Sequence, residues 1–163
     1  MNNPIKILGI DPGTNLMGWG MVEKNGYDIK ALKYGCIKTA VGLPHDERLL
    51  AIFQQLCDII KSEQPDEFAI EKLFFFKNQK TVMCVAEARG VAIVSAKINQ
   101  LPVFEYTPLQ VKQALTGYGR AEKQQMQEMV RLVCKLETIP KPDDAADALA
   151  VAICQAQTNQ QVR

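Results

Sequence analysis

Residues 5–14 read IKILGIDPGT, and the rest of the chain is arranged around this stretch. Ile7-Leu8-Gly9-Ile10 is an unbroken apolar run, as expected of a strand buried on both faces of a sheet. Asp11 follows it, and Pro12-Gly13 cannot continue a ladder and must turn. A carboxylate is thereby delivered to the edge of a buried sheet, where an unpaired charge is costly. Either a cation meets it there, or the Asp hydrogen-bonds its own turn. Three further acids, at a later strand end and on one helix face, favour the cation.

Downstream, Gly18-Trp19-Gly20-Met21-Val22, a polar turn at Lys24-Asn25-Gly26 and partial alternation over 29–39 predict two more strands. Together the first three form an antiparallel meander. Over 43–62, Leu49, Leu50, Ile52, Phe53, Leu56, Ile59 and Ile60 recur at helical spacing, with Asp46 and Glu47 in the first turn. After Pro65-Asp66, the short apolar strand Phe68-Ala69-Ile70 delivers Glu71 as the first strand delivers Asp11. A helix is expected over 79–99 and a fifth strand over 101–106. Thr107-Pro108 opens a short helix that breaks at Gly117-Tyr118-Gly119. Amphipathic spacing returns over 121–136, Pro140 and Pro142 mark a loop, and the last helix spans 143–157. The order βββαβαβααα predicts one α/β domain over residues 1–163, a mixed five-stranded sheet flanked by helices.

Composition bounds the function classes. The chain is 47% hydrophobic and 23% charged, ordinary for a soluble globular protein. No window approaches the roughly 18 consecutive apolar residues of a membrane span, and no signal-peptide core opens the sequence. Five cysteines lie far apart without a CxxC pair, which argues for reduced thiols and a cytoplasmic location rather than disulfides or zinc. His45 is the single histidine, so no His-based metal site is expected, only a surface residue near a helix start. Net charge is +1, but residues 72–141 hold eleven Lys/Arg against five Asp/Glu. The remainder holds eight basic and thirteen acidic residues. That asymmetry suits a cation-binding acidic cluster beside an anion-binding surface, and a solvated mixed surface would also give it.

Asp144 and Asp147, spaced i, i+3, share one face of the first turn of the last helix. Capping and dipole compensation account for one or two acids there. With Asp11 and Glu71 they make four hard oxygen donors, a set for Mg²⁺ or Mn²⁺. Two such ions about 4 Å apart can activate a water and stabilise a leaving oxygen in phosphodiester hydrolysis.

The segments GIDPG around Asp11, AIE at Glu71, ARGVAI at 88–93 and DAADALA at 144–150 resemble the RuvC family of Holliday-junction resolvases. The resemblance runs over 7–153 in matching order and spacing. DPGT alone also opens the phosphate loop of actin-like and sugar-kinase ATPases, but 163 residues leave room for half of that fold. The resemblance implies a ribonuclease H-like fold and an endonuclease that nicks four-way DNA junctions symmetrically in recombination and repair. It implies Mg²⁺ as cofactor, two ions per site with Mn²⁺ as a substitute, and a branch-migration complex as partner. Asp11, Glu71, Asp144 and Asp147 fall on the four catalytic acids; in some members the third is His, here Asp144. Glu87 stands where many members have Gln, outside the metal site. No basic tail is expected to contribute beyond the last helix. Lys112 and Lys123 match basic positions near the scissile phosphate. Phe74 matches the aromatic thought to insert at the junction.

From the residues themselves, Gly117-Tyr118-Gly119-Arg120 leads into a helix N-terminus, an anion site with Arg120 and Lys123 beside it or else a solvated helix start. Phe74-Phe75-Phe76 between Lys72 and Lys77 suits stacking on unpaired bases, or a hydrophobic plug. A ribonuclease H acting on RNA–DNA hybrids shares the fold and acids; a non-catalytic junction-binding module would have no use for all four. Twelve of 21 residues in the 79–99 helix are apolar and run most of the way round it. One stripe would suffice on a sheet, so a homodimer through this helix is expected, unless the last two helices cover it.

Overall fold

The computed structural model describes residues 3–74 and 79–158. Strands β1 (Ile5–Asp11), β2 (Leu16–Asn25), β3 (Asp28–Lys38), β4 (Glu67–Glu71) and β5 (Val103–Tyr106) form one sheet, in the order β3-β2-β1-β4-β5. Neighbours are antiparallel from β1 to β3, whereas β1–β4 and β4–β5 are parallel. The helices are α1 (His45–Glu63), α2 (Gln79–Ile98), α3 (Pro108–Thr116), α4 (Lys123–Val133) and α5 (Asp143–Thr158). This is the mixed five-stranded α/β sheet that the element order predicts.

Alternation along β1 explains why it is apolar throughout. Leu8 and Ile10 point to one face, where Met17 and Met21 join Ile52, Leu56 and Ile60 of α1 and Ala88, Ala92 and Ala96 of α2. Ile7 points to the other, packing with Val22, Ile29 and Ala69 beneath α5, and with Val111 and Val130 of α3 and α4. A strand with a core on each side has no room for polar residues.

Of residues 145–156, every one except Asp147 is buried. The sheet lets α5 this close by omitting side chains beneath it. A Cβ at Gly9 would lie 2.2 Å from the Ala148 carbonyl oxygen, and one at Gly18 2.0 Å from that of Asp144. The alanines of α5 complete the fit. Helix α2 is different: Ala88, Ala92 and Ala96 are fully buried, while Met83, Val94 and Ile98 are 68%, 51% and 61% exposed. The sheet stands between α2 and α3–α5, so the last helices do not cover its outer face.

Several element ends differ from the sequence expectation: α1 begins at His45 rather than 43, β5 at Val103 rather than 101 and α4 at Lys123 rather than 121, and two further ends have a clear physical cause. The hairpin strands run to Asn25 and from Asp28, leaving a two-residue loop with Gly26 at φ 62. Cross-strand pairing extends the ladder past the apolar positions. Helix α4 stops at Val133 rather than 136, because Lys135 takes a left-handed φ of 56. The Leu136 N–H then donates to the Arg131 carbonyl at 2.9 Å, closing the end. Among the described residues, no helix is long and apolar enough to cross a membrane.

Candidate active site

Pairing places the acids. The parallel register Ile10↔Ile70 carries Asp11 and Glu71 to adjacent strand ends. Opposite Asp11 on β2 lies Gly18, and the backbone of Asp144 rests on it. The first turn of α5 is thus set down beside the ends of β1 and β4, with Asp147 one turn along.

The electrostatics of these acids are mutual. Burial pushes the Asp11 carboxyl up to about 8, with Asp147, Glu71 and Asp144 adding repulsion and Lys123 opposing it. Burial pushes Glu71 up to about 7, with Asp147 adding and Lys112 opposing. Asp147 is raised as well, first by burial and then, against the pull of Lys123, by Asp144 and Asp143. The cluster carries more negative charge than its lysines offset. Carboxylate oxygens are the hard donors that a divalent cation such as Mg²⁺ takes.

Basic side chains line one wall. Lys123 Nζ lies 3.2 Å from Asp143 Oδ2 and 3.9 Å from Asp147 Oδ2. Its bond to Asp143 raises its own pKa, burial opposes, and Asp147 adds. Lys112 and Lys123 share a cleft of about 200 Å³ with Glu71 and Asp147. A capping box positions the helix that carries Lys112: the Gln110 N–H donates to Thr107 Oγ1 at 3.1 Å, and the Thr107 N–H to Gln110 Oε1 at 2.8 Å.

Other expected residues lie apart. Phe74, three residues beyond Glu71, is 54% exposed. Lys77, with Phe75 and Phe76, lies outside the described residues. Arg120 is exposed on the loop before α4 and does not line the cleft.

Four residues take places the sequence reading did not give them. Arg89 Nε donates to the Glu71 carbonyl at 3.0 Å and its guanidinium pairs with Glu105, so α2 fixes the end of β4. Its signal was the ARGVAI string, which carried the family likeness but no role. Asp143 turns away toward Lys141, at 3.0 Å, and Lys123, which together lower its pKa. Cys36 sits opposite Gly18 on β3, its thiol raised by burial and by Asp144 and Asp11. His45 is not the isolated surface residue expected: its Nε2 contacts Glu87, and Cys84 stands with them. Their separation of about forty positions hid the grouping.

Residues 7–155 match the family described as crossover junction endodeoxyribonuclease RuvC. The protein of that name from Desulforamulus reducens is 56% identical over 151 residues, 93% of each chain. The solved Thermus thermophilus RuvC superposes with a TM-score of 0.88 at 33% identity, covering 97% of each chain. The same protein in complex with Holliday junction substrate gives 0.86 at 31% identity, covering 96% of each. With its acids, lysines and sheet order in the arrangement just described, the chain belongs to the RuvC family of crossover junction endodeoxyribonucleases.

Proposed function

We propose that the chain is a metal-dependent endonuclease that resolves four-way DNA junctions by symmetric paired nicks, serving recombination and repair. The observation that carries the reading is the acidic edge itself: Asp11, Glu71 and Asp147 with carboxyl pKa values pushed up by burial and by one another, beside Lys112 and Lys123. The related Thermus protein, solved with Holliday junction substrate, supports the choice of DNA.

Asp11, Glu71, Asp144 and Asp147 would hold Mg²⁺, two ions per site, with Mn²⁺ as a substitute. When bound, these ions supply a more acidic water and neutralise charge at the scissile phosphate. The chain's own residues do the rest. Lys112 and Lys123 hold the phosphate against the cleft and oppose its developing charge. Arg89, through the Glu71 carbonyl, keeps that carboxylate at its strand end. Phe74, exposed beyond Glu71, stacks on a base at the crossover; Lys77 and Arg120 contact phosphates along the arms.

Two nicks on opposing strands call for two sites. The outer face of α2, with Met83, Val94 and Ile98 exposed, would pair with a second copy and relate two sites by a two-fold axis. One nuclease domain over the whole sequence, in the cytoplasm and beside a branch-migration complex, completes the reading.

The test is nicking of a synthetic four-way junction, compared with plain duplex and RNA–DNA hybrid, with and without Mg²⁺. Cutting confined to the junction and to Mg²⁺ is expected. Preference for the hybrid would make it a ribonuclease H instead, and binding without any cutting would make it a non-catalytic module.

A further inference from the structure

Where α1 and α2 meet, three different metal-binding donors converge outside the acidic cleft. His45 opens α1, and Cys84 and Glu87 stand one turn apart on α2. Their ligand atoms all lie within 4.8 Å of one another. His45 and Glu87 are exposed and Cys84 half-buried, so an ion in solution can reach all three. Beside them opens a recess of about 350 Å³, bordered also by Thr14, Asn15, Leu43, Arg48 and Thr81, with the Arg48 guanidinium donating to Asn15 Oδ1 and to the Leu43 carbonyl and room left for the waters an ion would keep.

We propose that His45, Cys84 and Glu87 bind a divalent transition-metal ion, of which zinc is the probe, at a site separate from the acidic cleft. An imidazole nitrogen, a thiolate and a carboxylate form a borderline-soft set that favours zinc-like ions over Mg²⁺, which takes oxygen donors. Zinc bonds of about 2.0–2.3 Å place tetrahedral ligands roughly 3.5 Å apart. Two exposed side chains and one half-buried one can close from 4.8 Å to that spacing by rotamer adjustment. Three protein ligands leave a position for water, so the ion exchanges readily instead of being locked in.

The other thiols compete poorly. Cys57, Cys134 and Cys154 are buried, and burial pushes Cys134 up to about 12 and Cys154 up to about 11. Cys36 is half-buried near Asp11 and Asp144, and is the one rival that must be separated by experiment. An ion at His45 ties the start of α1 to the first half of α2, next to the turn that follows Asp11. Binding the folded chain and not the unfolded one, it raises the melting temperature.

The test is titration of the full chain with Co²⁺, followed by displacement with Zn²⁺, in wild type and in Asp11→Asn/Asp147→Asn. The same thiolate-to-cobalt charge-transfer band, saturating at one Co²⁺ per chain, is expected in both; Co²⁺ taken up by the wild-type acids adds no such band, and the double variant binds one Co²⁺ in all. Cys84→Ala abolishes the band. His45→Ala and Glu87→Gln weaken binding by at least about tenfold. Each of the three variants melts like wild type without metal and nicks junctions in Mg²⁺ at the wild-type rate; in the Asp11→Asn/Asp147→Asn background the zinc-induced rise is lost with Cys84→Ala and reduced with the other two. Absence of the band would reduce the cluster to a His45–Glu87 hydrogen bond and overturn the proposal. So would a band that survives Cys84→Ala and vanishes in Cys36→Ala, which would put the soft ion in the acidic cleft.

Discussion

Helices α5 and α2 are both alanine-rich and apolar, and the chain treats them in opposite ways. Helix α5 is closed in by its own fold: the sheet beneath it is floored with glycine, α3 and α4 flank it, and burial is continuous over 145–156 apart from Asp147. Helix α2 seats Ala88, Ala92 and Ala96 on the sheet and leaves Met83, Val94 and Ile98 outside. Apolar content alone therefore does not say what covers a helix. The floor does. Where β1 and β2 give up side chains, a helix descends to backbone contact and its first turn is fixed beside the strand ends. Where they do not, an apolar face is left for another surface.

The sharpest break in that comparison removes the charge α5 is held in place to deliver. Asp147→Asn should lower Mg²⁺-dependent nicking by on the order of 10³-fold, the equivalent of several kcal/mol of charge stabilisation. Junction binding should persist, because affinity comes from lysine and arginine contacts to phosphate. Folding stability should hold or rise as repulsion with Asp11 and Glu71 is relieved. Near-wild-type turnover at saturating Mg²⁺ would take Asp147 out of the site.

Next in size is a methyl group on each side of the sheet. Gly18→Ala sets a Cβ 2.0 Å from a backbone oxygen of α5, which must move; a loss of about 3 kcal/mol or more in urea unfolding is expected. Gly90→Ala on α2 meets nothing within 4 Å and removes a mid-helix glycine, so the single chain should gain roughly 0.5–1 kcal/mol. Equal effects at the two positions would erase the distinction between a floored helix and an open one.

Stability against pH probes the same acids more gently. Asp11 rises from 3.8 to about 8 in the folded chain and Glu71 from 4.5 to about 7. The unfolded chain releases these protons first, so raising the pH favours it. The metal-free protein should be most stable at the acid end, and lose stability between about pH 4 and 8 at roughly 1.4 kcal/mol per unit for each group still protonated. Saturating Mg²⁺ should oppose the loss at the upper end, since protons and cations compete for the same oxygens. Asp11→Asn should flatten the metal-free profile; a slope unchanged by it would place the titration elsewhere.

Much of this organisation is legible in residues 5–14, because a doubly buried strand ending in Asp-Pro-Gly specifies both a central position and an acidic edge. Glu71 and the Asp144–Asp147 pair are readable for the same local reason: an apolar run ends in an acid, or i, i+3 spacing sets two on one face. Lys112 entered through family likeness alone, since nothing in its local pattern distinguishes it from a solvated helix lysine, whereas Lys123 was also offered by the helix N-terminus after Gly117-Tyr118-Gly119, a pattern that a solvated helix start shares. Three features stayed out of reach because they are made across the sheet or between helices. The glycines under α5 read only as strand residues, Arg89 reaches Glu71 from eighteen positions away, and His45 meets Glu87 from forty-two.

The division between a closed α5 and an open α2 is tested most directly by cutting a cruciform in a supercoiled plasmid. Two coordinated nicks give linear product at once, whereas uncoordinated nicks give open circles first. The wild-type chain should yield linear product and sediment as a dimer at micromolar concentration. Val94→Asp, on the exposed face of α2, should sediment as a monomer of unchanged stability and yield open circles. A wild-type monomer that still linearises the plasmid, or a Val94→Asp chain that does so as well as wild type, would contradict the pairing of sites through α2.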